Sequence, residues 1–439
     1  MNPGSVARQT YPMDMDPKRR AGRVERYVIF YLVLMQAIPF IKLLSGLNIM
    51  LFVFIDTIAL YSFFVAMGYM ARPIRLPAKR YSLLDFFVFL FLGLSLFSGL
   101  LFLQKNNPAS PLAYLFGLHH LVIPMFLYYC SKSIPADGQA NLLKIICMLN
   151  LFYIAVGLIM YYWRPEFYSN YLMNWEFHGE ITEHWQLFGR LRSYLGSTTV
   201  GILSGTTIVL VDFLKIKKFL KHALVVILFI AGLLSQQRGG YAAIIVGVVY
   251  YGFLSRKTVS NKTGFLVLGT GLFIALFAVF SIRVGRFEGQ INIVEKTRQR
   301  LFEETLTAEQ ISERKAGYID GWRNIRNFPL GLGIGATLSA SDWAGANPGG
   351  QVVDANFMRI LSDLGIGGLL LFLLLNALAL RSSWKKKNRW AWISILLIYN
   401  VIALGTNVYD VYYVNHLYWI FLGMMNTFPK KSISLAQKM

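Results

Sequence analysis

Long apolar blocks separated by short polar segments run through nearly the whole sequence. The hydrocarbon core of a bilayer takes about 20 apolar residues as an α-helix. By that measure the blocks predict about twelve transmembrane helices. They cover approximately residues 27–47, 48–70, 83–103, 111–130, 141–163, 195–214, 219–236, 239–255, 263–282, 357–379, 390–409 and 411–428. The pattern therefore predicts an all-α polytopic integral membrane protein.

Two neighbouring blocks, 219–236 and 239–255, are short and separated by a tight turn. Together they are too long for one helix that crosses a bilayer once. Gly239 and Gly240 stand between them, and paired glycines are a common signal for a break. We therefore predict two helices here, with the break at the glycines.

Composition agrees with the membrane class. Of the 439 residues, 55% are apolar and 15% are charged, whereas a typical soluble domain has about 25% charged residues. The net charge of +21 would suit a nucleic-acid partner, but the basic residues cluster between apolar blocks. Such clustering is the topology pattern of a membrane protein, so the bilayer is the expected partner and nucleic acid is not. Cys130 and Cys147 lie in or near apolar blocks, which excludes a disulfide framework.

Lys and Arg residues are concentrated in alternate connections, which the positive-inside rule places in the cytoplasm. Both termini are then cytoplasmic, in the cytoplasmic (inner) membrane. The predicted divisions are a tail (1–26), nine spans (27–282) with an outside loop (164–194), a large periplasmic loop (283–356), three spans (357–428) and a tail (429–439). Within the large loop, between the ninth and tenth spans, residues 294–326 have the composition of short helices.

Arg238 lies in the string SQQRGGYAA, where one predicted span ends and the next begins. An arginine at bilayer depth costs about 2.5–3.5 kcal/mol on insertion scales, so it usually has a partner or a water-filled cavity. Beside Gln237 and two glycines, its planar fork can hold a phosphate while backbone amides approach closely. The alternative is an interfacial arginine that extends to the surface.

Arg190 and Arg192 stand just ahead of the sixth predicted span. The Gly-Ser-Thr-Thr run at 196–199 can cap that helix and turn its amides outward, which would make an anion site. Two arginines on the outside face are unusual under the positive-inside rule. The alternative is a pair of cations at the membrane rim.

Asp354 and Asn356 precede the tenth predicted span, and Arg359 lies one turn inside it. A carboxylate in this position can act as a general base on a sugar hydroxyl, or can orient that hydroxyl. It can equally cap the following helix, which needs only a side-chain oxygen. Both interpretations stay open on the local pattern.

The other polar residues give weaker indications of function. Asp56 lies deep in the second predicted span, where pairing with Lys42 would satisfy it. His178 and His184 lie in a polar loop at a spacing that matches no strong metal-ligand pattern, so no metal is expected. The sequence contains no nucleophile elbow, phosphate-binding loop or dinucleotide fingerprint.

Four segments together resemble the O-antigen ligase and Wzy-type O-antigen polymerase superfamily. SQQRGGYAA is similar to its Ser-Arg-Gly signature, and RLRSYLGST to its arginine-bearing segment before a mid-chain span. NFPLGLGIG is similar to the Pro-Leu-Gly-x-Gly element of its long periplasmic loop. VVDANFMRILSDLGIGGLL is similar to the element in which a polar residue opens a helix that ends in Gly-Ile-Gly-Gly. The order and spacing of the four segments, over about 190–375, carry the resemblance.

Within this superfamily the resemblance favours the polymerase branch. Ligases typically carry a histidine where this chain has Asp354, and residues 283–356 contain no histidine. A ligase that transfers finished glycan to lipid A core or to protein is the alternative. From another class, a secondary transporter would also suit twelve spans with cytoplasmic termini, but the sequence shows no pair of related halves.

The resemblance implies a metal-independent glycosyltransferase that uses no cofactor. Its donor and acceptor would be glycans on undecaprenyl pyrophosphate, and a polysaccharide chain-length regulator is a candidate partner. Arg192 and Arg238 would clamp the pyrophosphate and stabilise the charge that develops on it. Asp354 would accept the proton of the acceptor hydroxyl or orient that hydroxyl. The remaining substrate-binding candidates are Arg190, Gln237, Arg314, Arg323, Arg326, Asn356 and Arg359.

Overall fold

The computed structural model shows a bundle of helices. It describes residues 17–45, 82–104, 109–171, 190–255, 321–338, 355–386, 388–405 and 413–427, with single residues 107, 319, 353, 408 and 411. Every regular element within those residues is helical. In chain order the helices are α1 (Pro17–Ser45), α2 (Leu83–Leu103), α3 (Pro111–Ser133), α4 (Ala136–Trp163), α5 (Glu166–Tyr171), α6 (Ser197–Leu210), α7 (Lys218–Leu234), α8 (Arg238–Val249), α9 (321–327), α10 (Asn356–Trp384), α11 (Arg389–Ala403) and α12 (Val414–Met425).

Five of the described helices are long and apolar enough to cross a membrane, judged by length and composition. They are α1 between Gly22 and Ile41, and the whole of α2, α3, α4 and α10. The prediction of a helical polytopic membrane protein is therefore confirmed at that level. The predicted spans at 48–70 and 263–282 lie outside the described residues. The number of twelve spans, the orientation and the periplasmic loop stay predictions.

Helices α6 and α8 cross in direct backbone contact because small residues face each other. A Cβ atom added to Gly201 would lie 2.6 Å from Gly240 Cα, and one added to Gly205 would lie 2.4 Å from the Ala243 carbonyl oxygen. Small residues at a crossing let the backbones of membrane helices approach, where van der Waals packing provides the association energy. This contact fixes the beginning of α8 against the beginning of α6.

The break between α7 and α8 lies earlier than the sequence predicts. The helix α7 ends at Leu234, and α8 begins at Arg238 with Gln237 at its N-cap position. Gln236 between them has a φ of 51°, in the left-handed region. The two helices are confirmed, but the placement of the break at Gly239-Gly240 is wrong. Both glycines lie inside α8, where Gly240 makes room for α6.

At the other end of the bundle, Asp85 ties three helices together. Its carboxylate accepts hydrogen bonds from Tyr128 Oη at 2.8 Å and from Asn426 Nδ2 at 3.0 Å, and it forms an ion pair with Lys132. It also completes a capping box with Ser82 at the start of α2. A buried charge is tolerated when it is paired and fully hydrogen-bonded. This network joins α2 and α3 to the end of α12.

Candidate functional site

Main-chain and side-chain hydrogen bonds bring two arginine-bearing segments together. The Leu191 amide donates to the Leu234 carbonyl oxygen at 2.7 Å, which joins the segment of Arg190 and Arg192 to the end of α7. Gln237, just before Arg238, donates from Nε2 to Ser197 Oγ at 2.9 Å. Ser197 begins α6 directly after the first arginine segment. The structure therefore places the segments that carry Arg190, Arg192, Gln237 and Arg238 side by side, as the resemblance implies.

Tyrosine hydroxyls hold the backbone of the 190–196 segment in a non-helical conformation. Tyr168 Oη donates to the Arg192 carbonyl oxygen at 3.2 Å, and Tyr171 Oη donates to that of Tyr194 at 3.1 Å. Tyr153 Oη donates to the Gly196 carbonyl oxygen at 2.9 Å. Buried main-chain oxygens need hydrogen-bond donors, and the tyrosines supply them to a segment that precedes α6. The Gly196 carbonyl oxygen also accepts the first hydrogen bond of α6, from the Val200 amide at 3.4 Å. The sequence interpretation missed these tyrosines.

The helix α6 begins within the Gly-Ser-Thr-Thr run at 196–199, as the sequence predicts. Gly196 occupies the N-cap position with a φ of 86°, and no side chain of the run makes a capping hydrogen bond. Ser197 lies inside the helix and accepts from Gln237. The Ser197 hydroxyl therefore connects the two arginine segments, and the role of the helix start as an anion site stays a prediction.

The four candidate residues on the two arginine-bearing segments differ in burial. The Arg192 side chain has 3% of its surface exposed, while Arg190, Gln237 and Arg238 are half-buried. A guanidinium offers several N–H donors in a fixed plane and remains charged, so it suits a phosphate or carboxylate. A deep and a partly open arginine on neighbouring segments can hold one anionic group from two sides.

A glycine-rich loop forms a second part of the site. Gly331, Gly333 and Gly335 have φ values of +97°, +101° and +90°, which L side chains rarely adopt. A Cβ atom on Gly335 would lie 2.0 Å from the Ala113 carbonyl oxygen, and one on Gly331 would lie 2.4 Å from that of Asp363. The loop is therefore packed backbone against backbone between α3 and α10.

Asp363 fastens this loop to α10. Its carboxylate accepts from the amide of Gly335 at 3.0 Å, and from the amide and hydroxyl of Thr337 at 3.1 and 2.8 Å. The Gly333 amide also donates to the Asp363 carbonyl oxygen at 2.9 Å. That carbonyl oxygen is available because Gly365, with φ 70° and ψ −173°, interrupts α10. Asp363 was not among the residues predicted from the sequence.

The predicted residues on α10 share a face with Asp363. Asn356 begins α10 with 1% of its surface exposed, and Arg359 and Asp363 follow at spacings of three and four, which place side chains on one side of a helix. Arg359 Nε lies 3.6 Å from Asp363 Oδ2 in a buried ion pair. The N-cap position is Ala355, and Asp354 lies outside the described residues.

The arginines of the predicted large loop are exposed, unlike those on α10. Arg323 and Arg326 lie on α9, which is at the end of the region 294–326 that the sequence predicts to hold short helices. Arg314 lies outside the described residues. The helix α11 packs against both α8 and α10, so it contacts the helix that begins at Arg238 and the helix that carries Asn356 and Arg359.

A protein-family model matches part of the chain. Residues 223–373 match the family model described as O-Antigen ligase. This range contains Arg238, the glycine-rich loop, Asn356 and Asp363, whereas Arg190 and Arg192 precede it. No curated protein matches the chain significantly. The chain therefore carries an O-antigen ligase family domain over residues 223–373, which confirms the resemblance to the O-antigen ligase and Wzy-type polymerase superfamily in that range.

Proposed function

We propose that the protein is a polysaccharide polymerase for O-antigen or exopolysaccharide. It joins repeat units that are carried on undecaprenyl pyrophosphate, at the outer face of the cytoplasmic membrane. The observation that carries this proposal is the pairing of two arginine-bearing segments through Leu191–Leu234 and Gln237–Ser197. Together they form a site suited to a pyrophosphate inside an apolar helical bundle. The family domain supports a glycosyltransferase-like activity in the same region.

The transfer is a substitution at the anomeric carbon of the donor glycan. The oxygen of an acceptor sugar hydroxyl forms the new bond to that carbon, and the bond from the carbon to the pyrophosphate oxygen breaks. The leaving undecaprenyl pyrophosphate takes the bonding electron pair and gains negative charge, which Arg192 and Arg238 stabilise. Asp354 takes the hydroxyl proton. Donors that are fixed before the reaction stabilise developing charge without reorganising.

The tyrosine-held backbone supports the role given to Arg192. Its carbonyl oxygen and that of Tyr194 are both fixed by hydroxyl groups from α5. On the N-terminal side the Leu191 amide is held by the Leu234 carbonyl oxygen, so the backbone that carries the Arg192 guanidinium is fixed on both sides before substrate binds. Binding energy is then available for the transition state.

A ligase is the second candidate, because the matching family model carries that description. The histidine that ligases of this superfamily typically have is replaced by Asp354, and residues 283–356 contain no histidine. We therefore favour the polymerase. The analysis of glycan from a deletion strain separates the two: a polymerase deletion leaves single repeat units attached to their final carrier, whereas a ligase deletion removes attachment altogether. Chains of wild-type length that are attached to the final carrier in the deletion strain would exclude both.

Asp354→Asn is expected to lower the turnover of carrier-linked repeat units by about 100-fold or more, because general base catalysis contributes about 10²–10⁴. Asparagine keeps the size of the side chain but does not accept a proton at neutral pH. The assay follows chain growth by the purified protein in proteoliposomes. Asp342→Asn, in the same predicted loop, is the matched control and should retain activity. If Asp354→Asn is as active as the control, Asp354 is not the base and the arginines carry the chemistry.

A further inference from the structure

The glycine-rich loop lies well inside the ends of three apolar helices. The Ile334 amide donates to Ser98 Oγ at 3.1 Å, and a Cβ atom on Gly117 would meet the Ile334 carbonyl oxygen at 2.4 Å. Ser98 lies one or two turns before the end of α2, and Gly117 lies at a similar distance after the start of α3. The loop also contacts Asp363 of α10. Three candidate spans, α2, α3 and α10, therefore hold the loop at a similar depth. Non-helical backbone is tolerated there because protein surrounds it.

The depth of the loop follows from the length of α10. Its apolar stretch ends at Leu380, just before Arg381, and about 20 residues cross the hydrocarbon core. The helix from Gly365 to Leu380 covers about 24 Å of a core about 30 Å thick at 1.5 Å per residue, so Gly365, where α10 is interrupted, lies about 6 Å inside the core. A Cβ atom on Gly365 would meet the Pro329 and Leu330 backbone within 3 Å. Leu330, whose surface is 71% exposed, is thus at hydrocarbon depth.

The preceding helix α9 is amphipathic. Gly321 and Ile325 face α10, where a Cβ atom on Gly321 would lie 2.7 Å from Met358 Cε and Ile325 packs in a buried cluster. Its other face carries Trp322, which is 63% exposed, with exposed Arg323 and Arg326. Met358 precedes Gly365 on the part of α10 that comes before the interruption and leads out of the core. Tryptophan and arginine are favoured at the headgroup level beyond the core boundary.

We propose that Trp322, Arg323, Arg326 and Leu330 form a surface that docks on the bilayer. Leu330 contacts acyl chains and Trp322 lies at the interface. The two arginines bind phosphate groups of phospholipids, in place of the substrate contact that the resemblance implies for them. Two observations favour lipid over a glycan chain in water. Leu330 adjoins Gly365, whose neighbour Ile366 is also exposed, so two large exposed apolar side chains lie in the same region. A large exposed leucine at this depth also offers no hydrogen-bonding group to a hydrated glycan.

Site-specific fluorescence tests this surface, because Cys130 and Cys147 are buried and can be replaced to give a background without cysteine. Bimane is attached to Trp322→Cys, Leu330→Cys and Asp137→Cys in the full-length protein in proteoliposomes. Asp137 is exposed at the start of α4, away from α9, so it is the aqueous control. We expect 5-doxyl lipid to quench the label at 330 several-fold more than iodide does. A headgroup nitroxide should quench most strongly at 322, and iodide at 137.

Equal access of iodide to all three labels, with no quenching by lipid nitroxides, would overturn the proposal and place this face in water. The arginines are tested by adding Arg323→Gln and Arg326→Gln to the label at 322, in vesicles with phosphatidylglycerol. Iodide quenching should rise at least two-fold, while Arg164→Gln, at a different helix end, should leave it unchanged. Unchanged quenching in the double variant would remove the assignment of these arginines to headgroups.

Discussion

Arg238→Ala is expected to abolish long-chain polysaccharide while the protein still inserts in the membrane. Removal of one preorganised donor to developing negative charge typically costs about 10²–10³ in turnover. Arg238 begins α8 at the junction with α7 and is half-buried there. The measurement compares glycan chain lengths in cells and turnover in proteoliposomes at equal amounts of inserted protein.

Two further variants isolate the cause of that loss. Arg238→Lys keeps the charge but not the planar fork, so it should restore only part of the activity if bidentate binding matters. Arg164→Ala removes another half-buried arginine, which ends α4 and lies 5.9 Å from the Tyr161 ring centre. We expect this control to polymerise normally. Normal chain lengths with Arg238→Ala would contradict the proposed role of the arginine.

Gly335→Ala is expected to destabilise the fold by about 3 kcal/mol. The left-handed conformation at φ +90° costs an L residue about 1–2 kcal/mol, and overpacking adds about 1–3 kcal/mol. The added Cβ atom would lie 2.0 Å from the Ala113 carbonyl oxygen, which is backbone and cannot rotate away. Thermal unfolding in detergent should therefore begin at a lower temperature, and activity should fall with it.

The matched control is Gly367→Ala, in the Gly-Ile-Gly-Gly element. A Cβ atom there would meet nothing within 4 Å, and its φ is not positive. In a helix interior this change stabilises by about 0.5–1 kcal/mol. If both alanine variants unfold at the same temperature as the wild type, the packing described for Gly335 is incorrect.

Features that depend on local sequence were predictable. The apolar blocks identified the helices, including the short pair α7 and α8, because each block contains its own periodicity and length. SQQRGG was recognised as the beginning of a helix, which starts at Arg238. The arginine-bearing segments were also found from the sequence, since cations at the end of an apolar block stand out against their neighbours.

Features that depend on distant contacts were not predictable from the sequence. The importance of Asp363 depends on Gly335 and Thr337, which are more than 25 residues away in the chain. The hydroxyl groups of Tyr168 and Tyr171 meet carbonyl oxygens that are 24 and 23 residues further along the predicted outside loop. The Gly-Ile-Gly-Gly element predicted the end of a helix, whereas α10 is interrupted at Gly365 and continues to Trp384. The close approach of the Pro329 and Leu330 backbone to Gly365 accounts for this interruption.

The anchoring of residues 331–338 also bears on how related chains can diverge. Ser98, Gly117 and Asp363 hold this loop from the bundle side, so its position does not depend on the length of the chain between α8 and α9. Lengthening a connection is cheap, since each doubling costs about 0.6 kcal/mol of closure entropy. Insertions and deletions in the predicted loop at 283–318 can therefore accumulate during evolution, while residues 331–338 keep their place against α2, α3 and α10.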